Sequence, residues 1–165
     1  MEKENEILSY FSTYSSWLDS LRDIDEALWS GPIAEGKWSI SEIIAHIKNW
    51  DDHLLLNVIP SVCSGKGMDF PEFYSFNEKA STYAKSAITQ TQLLNESITS
   101  RELLVQKLSE LSTETLHTST TANGVSHCPH TGTPYSLIYI VNEFTDHDFH
   151  HKNQIMQFLN EKSLQ

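Results

Sequence analysis

His147 and His151 stand four residues apart in Asp146-His147-Asp148-Phe149-His150-His151-Lys152-Asn153-Gln154, a segment flanked by apolar residues at helical spacing. On a helix, positions i and i+4 share a face about 6 Å apart, close enough for two imidazole nitrogens to bind one ion. The stripe through Leu137, Ile140, Phe144, Ile155 and Phe158 passes through both residues, so both rings are predicted to point into a core. An unpartnered polar ring there costs about 1–3 kcal/mol, and a shared cation would satisfy the two together. A hydrogen-bonded pair is the simpler reading of an isolated His-x-x-x-His, so a third histidine on another helix becomes decisive. His46 and His53 share the flank of a second apolar stripe. Seven residues of helix rise about 10 Å, too far for both to reach one ion. His46 is expected to be the third ligand, because it lies further from the loop end of its helix. Three neutral nitrogens leave coordination positions open, as in catalytic sites. Imidazole ligation suits zinc or nickel, with iron and manganese also compatible.

The other histidines carry less. His117, His127 and His130 fall where helical period is lost, and His127-x-x-His130 has no second ligand pair at finger spacing. His150 is expected on a wet face with Glu143, Asp146 and Gln157, and Asp146 and Asp148 are read as lying off the inward stripe. No Gly-x-Ser-x-Gly or His-Glu-x-x-His motif is present.

Four helical stretches are expected to position these residues. The first runs over about 3–29, with Phe11, Tyr14, Leu18 and Leu21 on one face, and stops at Gly31-Pro32. The second starts at Ser39, where Ser39 and Glu42 make a capping box and Trp38 can staple onto Ile43; Pro60 should close it. Residues 61–74 read as a connecting loop with a hydrophobic plug, or a lid. Ser75 with Glu78 and Thr89 with Gln92 are further capping boxes, for a third helical stretch broken near Ile88 and ending near Leu111. Asn123-Gly124 is the favoured pair for a tight hairpin turn. Thr133 as cap and Pro134 at the first helical position should open a last helix that reaches about Lys162. The fold expected is therefore all-α, with a small β-hairpin or irregular loop before the last helix, and 1–165 reads as one domain.

Composition narrows the function. The chain's 165 residues, 39% hydrophobic, suffice for a core without a structural metal, so a bound metal would serve chemistry. A net charge of −11 disfavours nucleic acid. The longest apolar runs fall well short of the ~20 residues that span a bilayer, and the acidic start does not look like a secretory leader. Cys63 and Cys128, far apart in sequence, read as free thiols, so a cytoplasmic protein is expected.

Two segments resemble a known family. Trp38-Ser39-Ile40-Ser41-Glu42-Ile43-Ile44-Ala45-His46 and His147-Asp148-Phe149-His150-His151-Lys152-Asn153-Gln154 are similar to the second-helix and last-helix signatures of the DinB-like superfamily, metal-dependent four-helix bundles that include the YfiT-related bacillithiol transferases. The resemblance spans nearly the whole chain. It implies a four-helix bundle of the DinB/YfiT-like type, a metal held by His46, His147 and His151, and a homodimer. Asn153 departs from the glycine many relatives carry before the glutamine, which adds bulk at that point.

The function expected is a transferase: the metal activates a low-molecular-weight, bacillithiol-like thiol for attack on an electrophilic substrate, with no protein nucleophile. The alternatives are a metal-dependent hydrolase, which needs a general base that the inward stripe does not offer, and a non-catalytic module that captures metal or ligand.

Overall fold

The computed structural model describes residues 2–164. Its framework is four long helices, α1 (Glu2–Asp19), α3 (Ile40–His53), α6 (Gln90–Ser109) and α8 (Leu137–Ser163). Four shorter ones, α2 (Glu26–Ser30), α4 (Ile59–Cys63), α5 (Phe73–Ala84) and α7 (Thr113–His117), lie in the connections. Helix α6 packs on both α1 and α3, α8 packs on α1 and α3, and α5 lies along α3. This is the expected four-helix bundle.

Several boundaries differ from expectation, each for a local reason. The first stretch is interrupted after Asp19, because the Asp25 carboxylate accepts from the Ala27 N–H at 2.8 Å and restarts the chain as α2. The second does not stop at Pro60. The proline ring would collide with the Leu56 carbonyl in a continuous α-helix; the chain instead widens into a π turn at Leu54–Val58 and carries Pro60 into the start of α4. Ser75 and Glu78 form no capping box, since Glu72 caps α5 by accepting from the N–H groups of Tyr74 and Ser75. The boxes at Ser39–Glu42 and Thr89–Gln92 are present in full. Helix α7 forms in the region read as non-helical, capped by Ser112. Helix α8 is capped by Ser136, and Pro134 instead pairs with His127 in an isolated bridge.

The hairpin turn lies where Asn123-Gly124 placed it. Both residues have left-handed backbone, with φ of 49° and 80°, and Ala122 and Val125 exchange two backbone hydrogen bonds across them. This turn clips the loop after α4: the Met68 N–H donates to the Thr121 carbonyl, and the Asn123 N–H donates to the Met68 carbonyl. Gly67 permits the approach, because a Cβ there would collide with the Thr121 side chain. Met68, fully buried, is the plug.

Two apolar clusters fill the bundle, one around Leu18, Ile43, Ile47 and Leu94, the other around Phe11, Leu54, Leu104 and Val141. Arg101 of α6 touches both, stacked 3.8 Å from the Phe11 ring centre and 4.3 Å from that of Tyr14. Its guanidinium is wholly buried. It grips Asp51 of α3 with two hydrogen bonds of 2.8 and 2.9 Å and Asp148 of α8 with one of 2.8 Å. A fourth bond goes to the Phe11 carbonyl of α1 at 2.9 Å. Asp148 therefore faces inward, against the sequence reading, which placed it off the inward stripe. Burial raises the pKa of both carboxyl groups, and Arg101 opposes that rise.

Removing one partner of a buried ion pair strands the others without solvent. Arg101→Met should therefore destabilise the protein by about 3–5 kcal/mol in urea unfolding. Breaking the exposed Asp19–Arg22 pair with Asp19→Ala should cost less than about 1 kcal/mol. Similar losses from the two variants would contradict a structural role for the buried triad.

Candidate metal centre

The capping box that starts α3 also fixes its rotation. Glu42 closes the box with the Ser39 N–H at 3.2 Å and, through its other oxygen, accepts from the Ser81 hydroxyl of α5 at 2.6 Å. One turn along both antiparallel helices, His46 meets Asn77, with Nδ1 2.9 Å from Oδ1. A further turn along α3, Trp50 donates its indole N–H to the same Asn77 oxygen at 3.1 Å and lies edge-on to Phe73. Three successive contacts thus hold α5 against the face of α3 that carries His46.

The indole N–H can only donate, so the Asn77 atom it meets is the carbonyl oxygen. His46 must then carry its proton on Nδ1 to donate to that same oxygen. Its Nε2 is a bare lone pair aimed away from α5. His151 has a like contact within its own helix, Nδ1 lying 2.8 Å from Gln154 Oε1, an oxygen that accepts from an Nδ1–H.

Between them stands His147. Its Nε2 is 3.0 Å from His46 Nε2 and 3.1 Å from His151 Nε2, and one nitrogen from each of the three rings falls within 4.8 Å of the others. No protonation pattern of neutral rings satisfies this arrangement. If His147 carries its proton on Nε2, its buried Nδ1 is an acceptor with no partner; if on Nδ1, the donor is stranded and three lone pairs face one another. A divalent cation at the common point gives the three Nε2 lone pairs a shared partner and leaves the His147 Nδ1–H as the one unpaired donor of the three rings. Two nitrogens bound tetrahedrally at about 2.0–2.1 Å would lie about 3.3 Å apart, close to the spacings here. The donor set therefore fits such an ion, with His46, His147 and His151 to hold it.

The rings are also kept neutral, as ligation requires. Burial, with the neighbouring His151 imidazole opposing a second positive charge, pushes His46 down to about 4. Burial and the neighbouring imidazoles take His147 to about 3, and burial lowers His151.

The remaining histidines stay apart from this cluster, the only one of its kind among the described residues. His53 Nε2 lies 2.7 Å from the Asp69 carbonyl, His117 pairs with Glu4 at 2.8 Å, and His127, His130 and His150 are exposed. Cys63 and Cys128 are both free thiols.

His46 and His147 open onto a cavity of about 440 Å³ walled by Trp50, Phe70, Phe73, Tyr135, Ile140 and Phe144. The clipped loop supplies Phe70, whose N–H donates to the Asn123 side chain at 2.7 Å. Glu143, one turn before His147, also lines this space. The sequence reading assigned it wholly to the wet face. It is exposed, but it stands where solvent and cavity meet. Asn77 and Arg101 were missed altogether.

Residues 12–155 match the sequence profile of the DinB superfamily. The chain belongs to the DinB superfamily. No curated protein matches the chain in sequence. Among solved structures, this DinB-superfamily chain is similar to YfiT from Bacillus subtilis, described as a probable metal-dependent hydrolase with an unusual four-helix bundle topology. The TM-score is 0.77 at 12% identity, over 99% of this chain and 89% of that one. Likeness at this identity establishes the shared fold. No helix of the described residues is long and apolar enough to cross a membrane.

Two outcomes follow. Asn77→Ala should weaken metal binding by about 10–100-fold in competition with a chromogenic chelator, because it frees the His46 ring; unchanged affinity would remove Asn77 from the account. The second concerns pH. An imidazole near 6.5 when unfolded and about 4 when folded takes up protons preferentially in the unfolded state. Its contribution to stability is complete above pH 6.5 and is lost as the pH falls toward about 4. The melting temperature of the metal-free protein should drop over that window, and drop less with His46, His147 and His151 all changed to Gln. Equal slopes would contradict it.

Proposed function

We propose that this chain is a metal-dependent transferase that joins a low-molecular-weight thiol, of the bacillithiol kind, to an organic electrophile. The observation that carries the proposal is the convergence of three imidazole nitrogens beside an apolar cavity. A divalent ion held there, zinc or nickel by the imidazole set, supplies a Lewis acid that makes a small thiol acidic enough to react as thiolate at neutral pH.

The residues of the chain do the rest. Asn77 and Gln154 hold the Nδ1 protons of His46 and His151 and so keep their Nε2 lone pairs turned to the common point. Trp50, Phe70, Phe73 and Phe144 line with apolar rings the side where an acceptor would lie. Sulfur then forms a bond to the electrophilic carbon, the leaving group departs with the electrons of the broken bond, and the thiol proton passes to solvent. No protein nucleophile takes part.

A hydrolytic reading has one specific observation in its favour. Glu143 places a carboxylate on the cavity, where it would accept a proton from an attacking water. YfiT, described as a probable hydrolase, shares the fold.

The readings separate in one assay series. Metal-loaded protein is given a fluorogenic alkylating agent with bacillithiol or cysteine, and separately an aryl ester without thiol. The transferase reading expects thiol conjugation that falls to the uncatalysed rate with chelator and in His147→Ala. Chelator-sensitive ester cleavage without thiol, and no conjugation, would establish the hydrolytic reading instead.

A further inference from the structure

The cavity has a charge pattern that nothing in the proposed reaction explains. Among the described residues lining it, Glu143 is the one carboxylate, and no lysine or arginine is present. The aromatic rings centre on Trp50, whose ring centre lies 5.5 Å from Phe73, 5.9 Å from Phe144 and 6.4 Å from Phe70. Phe73 is 64% exposed although its ring belongs to the lining, so the rings reach from the buried histidines out to solvent. Glu143, also part of the lining, is exposed to solvent.

Aromatic faces carry negative quadrupole density and attract cations, and quaternary ammonium groups are commonly bound by such rings together with a carboxylate. An apolar wall alone would accept neutral molecules equally well. Glu143 separates the cases, because it attracts a positive group and repels a carboxylate or phosphate. The protein's charge of −11 acts in the same direction at longer range.

We infer that the acceptor substrate is an organic ammonium compound: a ring-sized apolar body against Trp50 and Phe144, with the cationic end at Glu143. The inference rests on the reading that this cavity receives the acceptor. It concerns binding, so it is tested without turnover.

The full chain as purified is titrated with three compounds of matched size: benzyltrimethylammonium, its neutral isostere neopentylbenzene, and the anionic phenylacetate. Binding is followed by tryptophan fluorescence and by ligand-observed NMR. The cation should bind roughly three- to thirty-fold more tightly than the neutral compound, and the anion most weakly. Glu143→Gln should remove most of that preference while leaving the neutral compound's affinity unchanged; the Glu143 side chain is exposed and makes no hydrogen bond or ion pair within the described residues. Phe73→Leu should weaken the cation selectively. Equal affinities in the wild type, or a cation preference that survives Glu143→Gln, would overturn the inference. So would a Glu143→Gln variant that loses ester hydrolysis while binding the cation normally, which would make Glu143 a proton acceptor. Failure of thiol conjugation alone would count against the transferase reading and leave the binding result intact.

Discussion

The buried guanidinium of Arg101 holds together the two helices that carry the histidines. It binds Asp51, five residues from His46 on α3, and Asp148, the neighbour of His147 on α8. Replacing such a triad with apolar side chains of the same shape often leaves stability unchanged or improved, so net stability is a poor reason for it. Geometry is a better one. Three directional partners on α1, α3 and α8 set the rotation of each helix about its axis, which an apolar interface of interchangeable side chains does loosely. A small rotation of α8 would carry His147 away from His46.

Given that frame, the site depends on which nitrogen of each ring is protonated. Asn77 settles it for His46, because the Trp50 N–H requires an oxygen at the atom they share. For His151 the corresponding contact is with Gln154 Oε1 of the same helix. His147 has no such partner, and its ring is the one held between the other two. The strain of unmatched lone pairs is thereby concentrated at one point. The clipped loop and hairpin turn then close an aromatic wall beside it, so the same connections that complete the fold define what can approach.

Much of this was legible in the residues. The spacing of His147 and His151, the Ser39–Glu42 box and the apolar stripes are local patterns, and local patterns survive folding. Asn123-Gly124 was equally readable, since few residues tolerate two consecutive left-handed conformations. What escaped detection depends on contacts between distant segments. Arg101 looks like a surface residue on a weakly amphipathic helix until Asp51 and Asp148 are placed beside it. Asn77 sits on a short helix whose start was misjudged, because Glu72 rather than Ser75 caps it. The helical period turns Glu143 away from the bundle core, whereas the cavity lies to one side of that core. The π turn at Leu54–Val58 likewise has no periodic signature, only a proline that a continuous helix could not hold.

The direct test of shared coordination is anomalous diffraction from crystals soaked in zinc and, separately, nickel. A single strong peak is predicted within about 2.0–2.2 Å of Nε2 of His46, His147 and His151 together. A peak bound to fewer of these rings, or sited elsewhere with the three imidazoles left as they are, would contradict the account.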